Sequence, residues 1–322
     1  MAQLTVNEVL AKVQAHQSLR RAELSHIDLG GAHLDASNFS RAYLRRANLA
    51  GASCAGANFS KATLILAVLS GASFERAHLA SAELTGARLD RGILRELHAP
   101  KAKFHGADLD QADLSFATLI QADLTEVTGR GAHFKNANLT RANLTDANFS
   151  EASFGGAKLA RTQWHRAMLQ GTSFYLADLE AAMLAEANLI GANFTQTDLL
   201  NANCQAANLE SAILLQTQAD WANLNRASLV KADLTRASLF GAQLEGANLT
   251  RANLSGANLQ QANLENANLA GVDFGIDANG AQVAGTLFTD ARGLTAAQAL
   301  WLKANGALNV PGKLGYARTD IP

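Results

Sequence analysis

The sequence predicts an all-β solenoid, and three observations carry that prediction. From Leu24 to Phe274 the chain repeats every five residues: of 51 successive fifth positions 45 are Leu or Phe, and two residues before them 41 are Ala. A period of five matches neither the helical repeat of about 3.6 nor the strand repeat of about 2. Phenylalanines also recur at 20-residue intervals, at Phe134, Phe154, Phe174 and Phe194, with Phe74 and Phe274 in the same register and Phe39 and Phe59 paired in another.

The period decides the geometry. In a run such as Ala247-Asn248-Leu249-Thr250-Arg251-Ala252-Asn253-Leu254 an α-helix would scatter its leucines around the axis, and a plain strand would flip each successive leucine to the opposite face. A short extended piece followed by a corner keeps every Ala and every Leu inward and turns the other three positions outward. Such a unit buries nothing alone; stacking makes the core.

Each end carries the signals of a short helix, which would cover the open apolar end of a solenoid. Thr5-Val6-Asn7-Glu8 reads as a capping box with Leu4 and Val9 placed as a staple, and Val6, Val9, Leu10 and Val13 form one apolar stripe. Thr295-Ala296-Ala297-Gln298 is a second capping box, followed by Leu300-Trp301-Leu302 and stopped by Asn305-Gly306. The expected organisation is a capping helix in 1–20, the repeat solenoid in 21–289 (regular over 22–274), and a capping helix with tail in 290–322. Within the repeats, Gly92, Leu97 and Ala99 break the pattern around Pro100, and Val127 and Gly129 form a second weak unit; neither shifts the register. Trp164 and Ala219 replace core residues elsewhere. Over 275–290 the register is lost: Val283 and Phe288 are five apart but out of phase with Phe274, as expected of an irregular last coil.

Stretches such as Ala137-Asn138-Leu139-Thr140-Arg141, Ala142-Asn143-Leu144-Thr145-Asp146 and Ala257-Asn258-Leu259-Gln260-Gln261 resemble the pentapeptide-repeat family, whose unit is A(D/N)LXX. The resemblance implies a right-handed quadrilateral parallel β-helix with four units, about 20 residues, per coil, and the 20-residue recurrence of phenylalanine agrees with it. It implies a non-enzymatic protein–protein interaction scaffold of a bacterial cell, in a setting such as an accessory or effector protein of a secretion system. The alternative it implies is a DNA mimic that binds DNA gyrase or topoisomerase and protects it from inhibitors.

Composition weighs between these. Charged residues make up 17% of the chain and the formal net charge is −1, with residues 1–166 carrying 19 basic and 15 acidic side chains and 167–322 carrying 8 and 13. A near-neutral chain imitates a polyanion poorly and attracts nucleic acid weakly. No phosphate loop, dinucleotide fingerprint or Cys-x-x-Cys is present, so no cofactor, metal or catalytic residue is expected. His78 and His98 stack one coil apart in this register without an evident third ligand. Cys54 and Cys204 replace core Leu/Phe residues and read as buried free thiols of a reducing compartment. No apolar segment resembles a signal peptide or a membrane span, so the expected location is cytoplasmic and no membrane partner is expected.

Three surface features remain as candidates. Arg21, Arg41, Lys61, Lys101, Arg141 and Arg161 share one register modulo 20 and predict a basic edge, either a family habit at a variable corner or a seat for an anion. Leu200, Trp221 and Phe240 fall on three successive coils at adjacent registers, with Tyr175, Leu176, Ile213 and Leu215 on a neighbouring face. They read either as packing across the corner or as a protein-binding patch. Leu300 and Trp301 are the candidate anchors of a homodimer through the C-terminal helix.

Overall fold

The computed structural model describes residues 4–276 and 279–312, in two compact units, Met1–Asp178 and Leu179–Pro322. The residues 313–322 of the expected tail lie outside the described part. Both units are built from one motif, a right-handed quadrilateral β-helix. In the first, isolated parallel bridges pair residues 20 apart, Glu23 with Tyr43, Asp28 with Asn48, His33 with Ser53 and Asn38 with Asn58, so four bridges complete one coil. The second unit continues the same spacing from Met183–Asn203 to Asn253–Asp273.

The backbone chemistry of one repeat explains its sequence. Leu44 donates its N–H to Thr63 O of the next coil at 2.8 Å, and Tyr43 donates to Ala22 O of the previous coil at 2.9 Å. The chain then turns: Ala47 N–H closes on Leu44 O at 3.0 Å, while Arg46 sits at φ 54° and donates to Ile65 O at 2.9 Å. A four-residue turn with only its third residue at positive φ is a type II turn. Left-handed backbone costs a non-glycine residue about 1–2 kcal/mol; the bond to the next coil holds it in place, as it does again at Arg76 and Glu96. Pro100 occupies the second position of such a turn, closed by Ala102 N–H on Ala99 O at 3.3 Å, a position proline favours and one that uses no N–H.

The Asn or Asp of the repeat has a task of its own. Its side-chain oxygen accepts the otherwise unbonded N–H two residues on, as Asn38 does from Ser40 at 3.0 Å and Asn138 from Thr140 at 3.1 Å. These are Asx turns, and they settle the second corner residue without taking a carbonyl from the ladder.

Apart from Ala22 and Ala32 near the start, which are half-buried, the Ala and Leu/Phe positions are buried, as are Cys54, Cys204 and Trp164. Rings stack along the column in the first unit: Phe39 on Phe59 at 4.8 Å and 6°, Phe134 on Phe154 at 4.7 Å and 11°, and Phe154 on Phe174 at 5.5 Å and 12°. Threonine replaces the core alanine where its hydroxyl can donate to a carbonyl, as Thr172 does to Phe149 O at 2.8 Å and Thr217 to Phe194 O at 2.6 Å.

Helix α1 (Val6–Gln14) and helix α2 (Ala296–Ala304) lie at the two chain ends, each opened by the expected capping box. Of the apolar stripe expected on α1 only Val9 is fully buried; Val6 is exposed. Nine residues are enough to lay one turn against an end, not to bury a whole face. Near the other end the bridge spacing lengthens from 20 to 24 residues, Asn258 pairing with Gln282 and Asn263 with Leu287, so the lost register is a four-residue insertion. Leu308 then bridges Leu287, and Gly285 N–H donates to Gly306 O at 2.8 Å, so the segment after α2 pairs the free edge of the last coil.

Candidate functional site

Trp221 is the largest apolar side chain left half in solvent among the described residues of the second unit, with 52% of its surface exposed. It stands at a positive-φ corner (59°), anchored by its N–H to Phe240 O at 2.9 Å. Its indole lies over Gly241, where an added Cβ would come within 2.4 Å of the ring, and meets the Phe240 ring edge-to-face at 5.4 Å and 83°. Asp220 ties the corner from beneath: its carboxylate accepts from Phe240 N–H at 3.0 Å and from the Ser238 hydroxyl.

The repeat register predicts that Leu200, Trp221 and Phe240 all point outward. Leu200 and Phe240 are only partly exposed, because corner side chains lean toward the neighbouring coil. Trp221 packs across its corner and keeps half its surface in water. Ile213 is exposed and Leu215 half-buried in the same unit. Tyr175 and Leu176 are exposed and belong to the first unit, and are described with it. The signal that sequence reasoning missed is Gly241. A long residue at a left-handed corner leans over the corner 20 residues on, and a glycine there makes the room: Leu66 over Gly86 and Asn136 over Gly156 repeat the arrangement.

The six cations of the basic edge all lie exposed in the first unit, each at a positive-φ corner. Successive corners are stitched directly, Arg21 N–H to Ser40 O at 3.1 Å, Arg41 N–H to Ser60 O and Lys61 N–H to Ala80 O at 2.9 Å. His78 and His98 meet with ring centroids 5.7 Å apart, and among the described residues no His, Cys, Asp or Glu completes a three-ligand group with them. On α2, Leu300 is 70% exposed at the rim of a recess lined also by Leu294, Asp290 and Pro311. Trp301, expected as an interface anchor, faces its own solenoid: it lies 6.2 Å from Phe274 and covers Gly280. No helix among the described residues is long and apolar enough to cross a membrane.

A family model described as pentapeptide repeats matches segments running from residue 18 to residue 292, interrupted only at 97–106, around Pro100. Comparison with curated proteins finds no match. Among solved structures the chain is similar to HetL, a pentapeptide repeat protein involved in heterocyst differentiation regulation from the cyanobacterium Nostoc sp. strain PCC 7120, at 26% identity over 89% of this chain and 98% of that one, with a TM-score of 0.42. It is similar to trypsin-treated QnrB1, a plasmid-mediated fluoroquinolone resistance protein, at 19% identity over 70% and 95% of the two chains, with a TM-score of 0.42. A third similar structure is Rfr23 from the cyanobacterium Cyanothece 51142, at 30% identity over 43% and 61%, with a TM-score of 0.16.

Proposed function

The chain belongs to the pentapeptide-repeat family, and we propose that it is a non-enzymatic interaction scaffold that captures a protein partner at the Trp221–Phe240 corner of its second unit. The observation that carries the reading is the half-exposed indole of Trp221, held in one orientation by Phe240 and Gly241. A rigid aromatic that needs no ordering on binding is a favoured anchor of protein interfaces. The polar groups beneath it are already bonded to each other, so apolar area is what the corner offers. Leu200, Ile213 and Leu215 extend the same chemistry within that unit, and Tyr175 and Leu176 offer it in the first. A bacterial setting, as an accessory or effector of a secretion system, belongs to this proposal as the family resemblance implies it.

The test compares proteins recovered from the source cell by the wild-type chain and by Trp221→Ser. A partner present with the first, missing with the second, at an unchanged unfolding temperature, supports the reading. The same partners recovered by both overturn it. Gyrase protection is the weaker reading, since a formal net charge of −1 gives the chain little of a duplex's field; gyrase supercoiling in the presence of a quinolone, with and without the chain, decides it. A homodimer through α2 would use Leu300 rather than Trp301, and sedimentation of Leu300→Glu beside wild type tests it.

A further inference from the structure

We infer that the basic edge of the first unit is a second binding surface, which takes an acidic α-helical segment of a protein. Through eight coils, the two outward positions of this corner carry seven cations, Arg20 and the six named above, and no carboxylate. The other three corners of the same unit all hold carboxylates, and at each of them an arginine pairs with one: Arg76 with Glu96, Arg130 with Asp110 and Arg166 with Asp146. Among the described residues none of the seven edge cations makes a side-chain hydrogen bond or ion pair. Cations stacked about 4.8 Å apart repel one another. A bound row of anions would turn that repulsion into attraction.

The spacing and shape favour a helix. A row of glutamates one turn apart, at i, i+4 and i+7, presents one carboxylate about every 5.4 Å, close to the coil spacing of about 4.8 Å. Across Arg21, Arg41 and Lys61 the mismatch adds up to about 1 Å, within the reach of long side chains. From Arg21 to Lys101 the corner between the cations is low, with Ser40, Ser60, Ala80, Ser81 and Pro100, so a helix can approach closely there. Nucleic acid fits less well. The corner has no aromatic side chain to stack on a base, and the second unit carries 12 acidic against 8 basic residues. This surface rests on the scaffold reading only in taking a protein; it does not use Trp221.

The experiment measures fluorescence anisotropy of a synthetic helical peptide with one row of glutamates, and of duplex DNA of similar length, on the full chain. We expect peptide binding at low salt that is lost at about 0.5 M salt. We expect the double variant Arg41→Gln, Lys61→Gln to weaken it by about tenfold or more. Glutamine already occupies this corner at Gln121, with φ 57°, so the variant keeps the fold. Lys231→Gln with Arg251→Gln, corner cations of the second unit, should leave binding unchanged, and so should Trp221→Ser. Equal binding by the Arg41/Lys61 variant, absence of peptide binding at low salt, or tighter binding of the DNA would each overturn the inference. Because Trp221→Ser is scored separately, the apolar site and the basic edge stand or fall independently.

Discussion

The Phe149 ring fills the place of the side chain that Gly129 lacks. A Cβ built on Gly129 would lie 2.3 Å from the ring, which also meets Phe134 at 5.5 Å and Trp164 at 6.0 Å. What reads in the sequence as a defective repeat is one half of a packed pair, its missing volume supplied from the coil 20 residues on.

Gly129→Leu should therefore overpack the column and cost about 1–3 kcal/mol, and Phe149→Leu should leave a void and destabilise as well. Together they restore the ordinary repeat, and the double variant should be more stable than either single one. Denaturant unfolding of the three variants checks this; a double variant no better than the worse single one would refute the pairing.

Asn138→Ala should lower stability by about 1 kcal/mol, because Thr140 loses a bond to both its N–H and its hydroxyl. Asn138→Asp keeps the acceptor and should cost far less. Equal losses in the two variants would show that the Asx turn contributes nothing.

Gly241→Ala should expel the Trp221 indole from its seat, since the added methyl takes the ring's place at a corner with φ 64°. Acrylamide quenching should then rise in the variant, while Trp164 stays shielded in the core. Unchanged quenching would mean that the ring does not rest on Gly241.

Burial pushes the Cys204 thiol up to about 12 and raises Cys54 in the same direction, with a smaller push from Asp35. Both groups should resist alkylation at pH 9 until the chain unfolds. Above about pH 8.5 the unfolded thiol ionises while the folded one keeps its proton. Their contribution is complete below that pH and is lost as pH rises toward the folded value. Unfolding temperatures between pH 8 and 10 should fall less in Cys204→Ala than in wild type; parallel curves would remove Cys204 from the account.

Much of this was legible in the chain itself. The 20-residue coil, the buried Ala and Leu columns, the stacked Phe39–Phe59 pair, both capping boxes and the tolerance of Pro100 follow from spacing and turn chemistry. Trp221 and the basic edge were legible as positions, but their surroundings were not. Whether Trp221 is exposed depends on a glycine 20 residues away, and whether an arginine is free depends on the charge one coil above or below it.

The period, the inward and outward sides of each repeat, and the register in which residues stack are written in the chain, because a five-residue alternation of small and large apolar groups hides both kinds only by turning a corner in every repeat. Which side chains find partners is settled by the folded coils: Phe149 fills Gly129, Trp301 covers its own last coil, and among the described residues one corner of four in the first unit keeps its cations unpaired. Those outcomes depend on side-chain reach across coils, a distance in space that no run of neighbouring letters encodes.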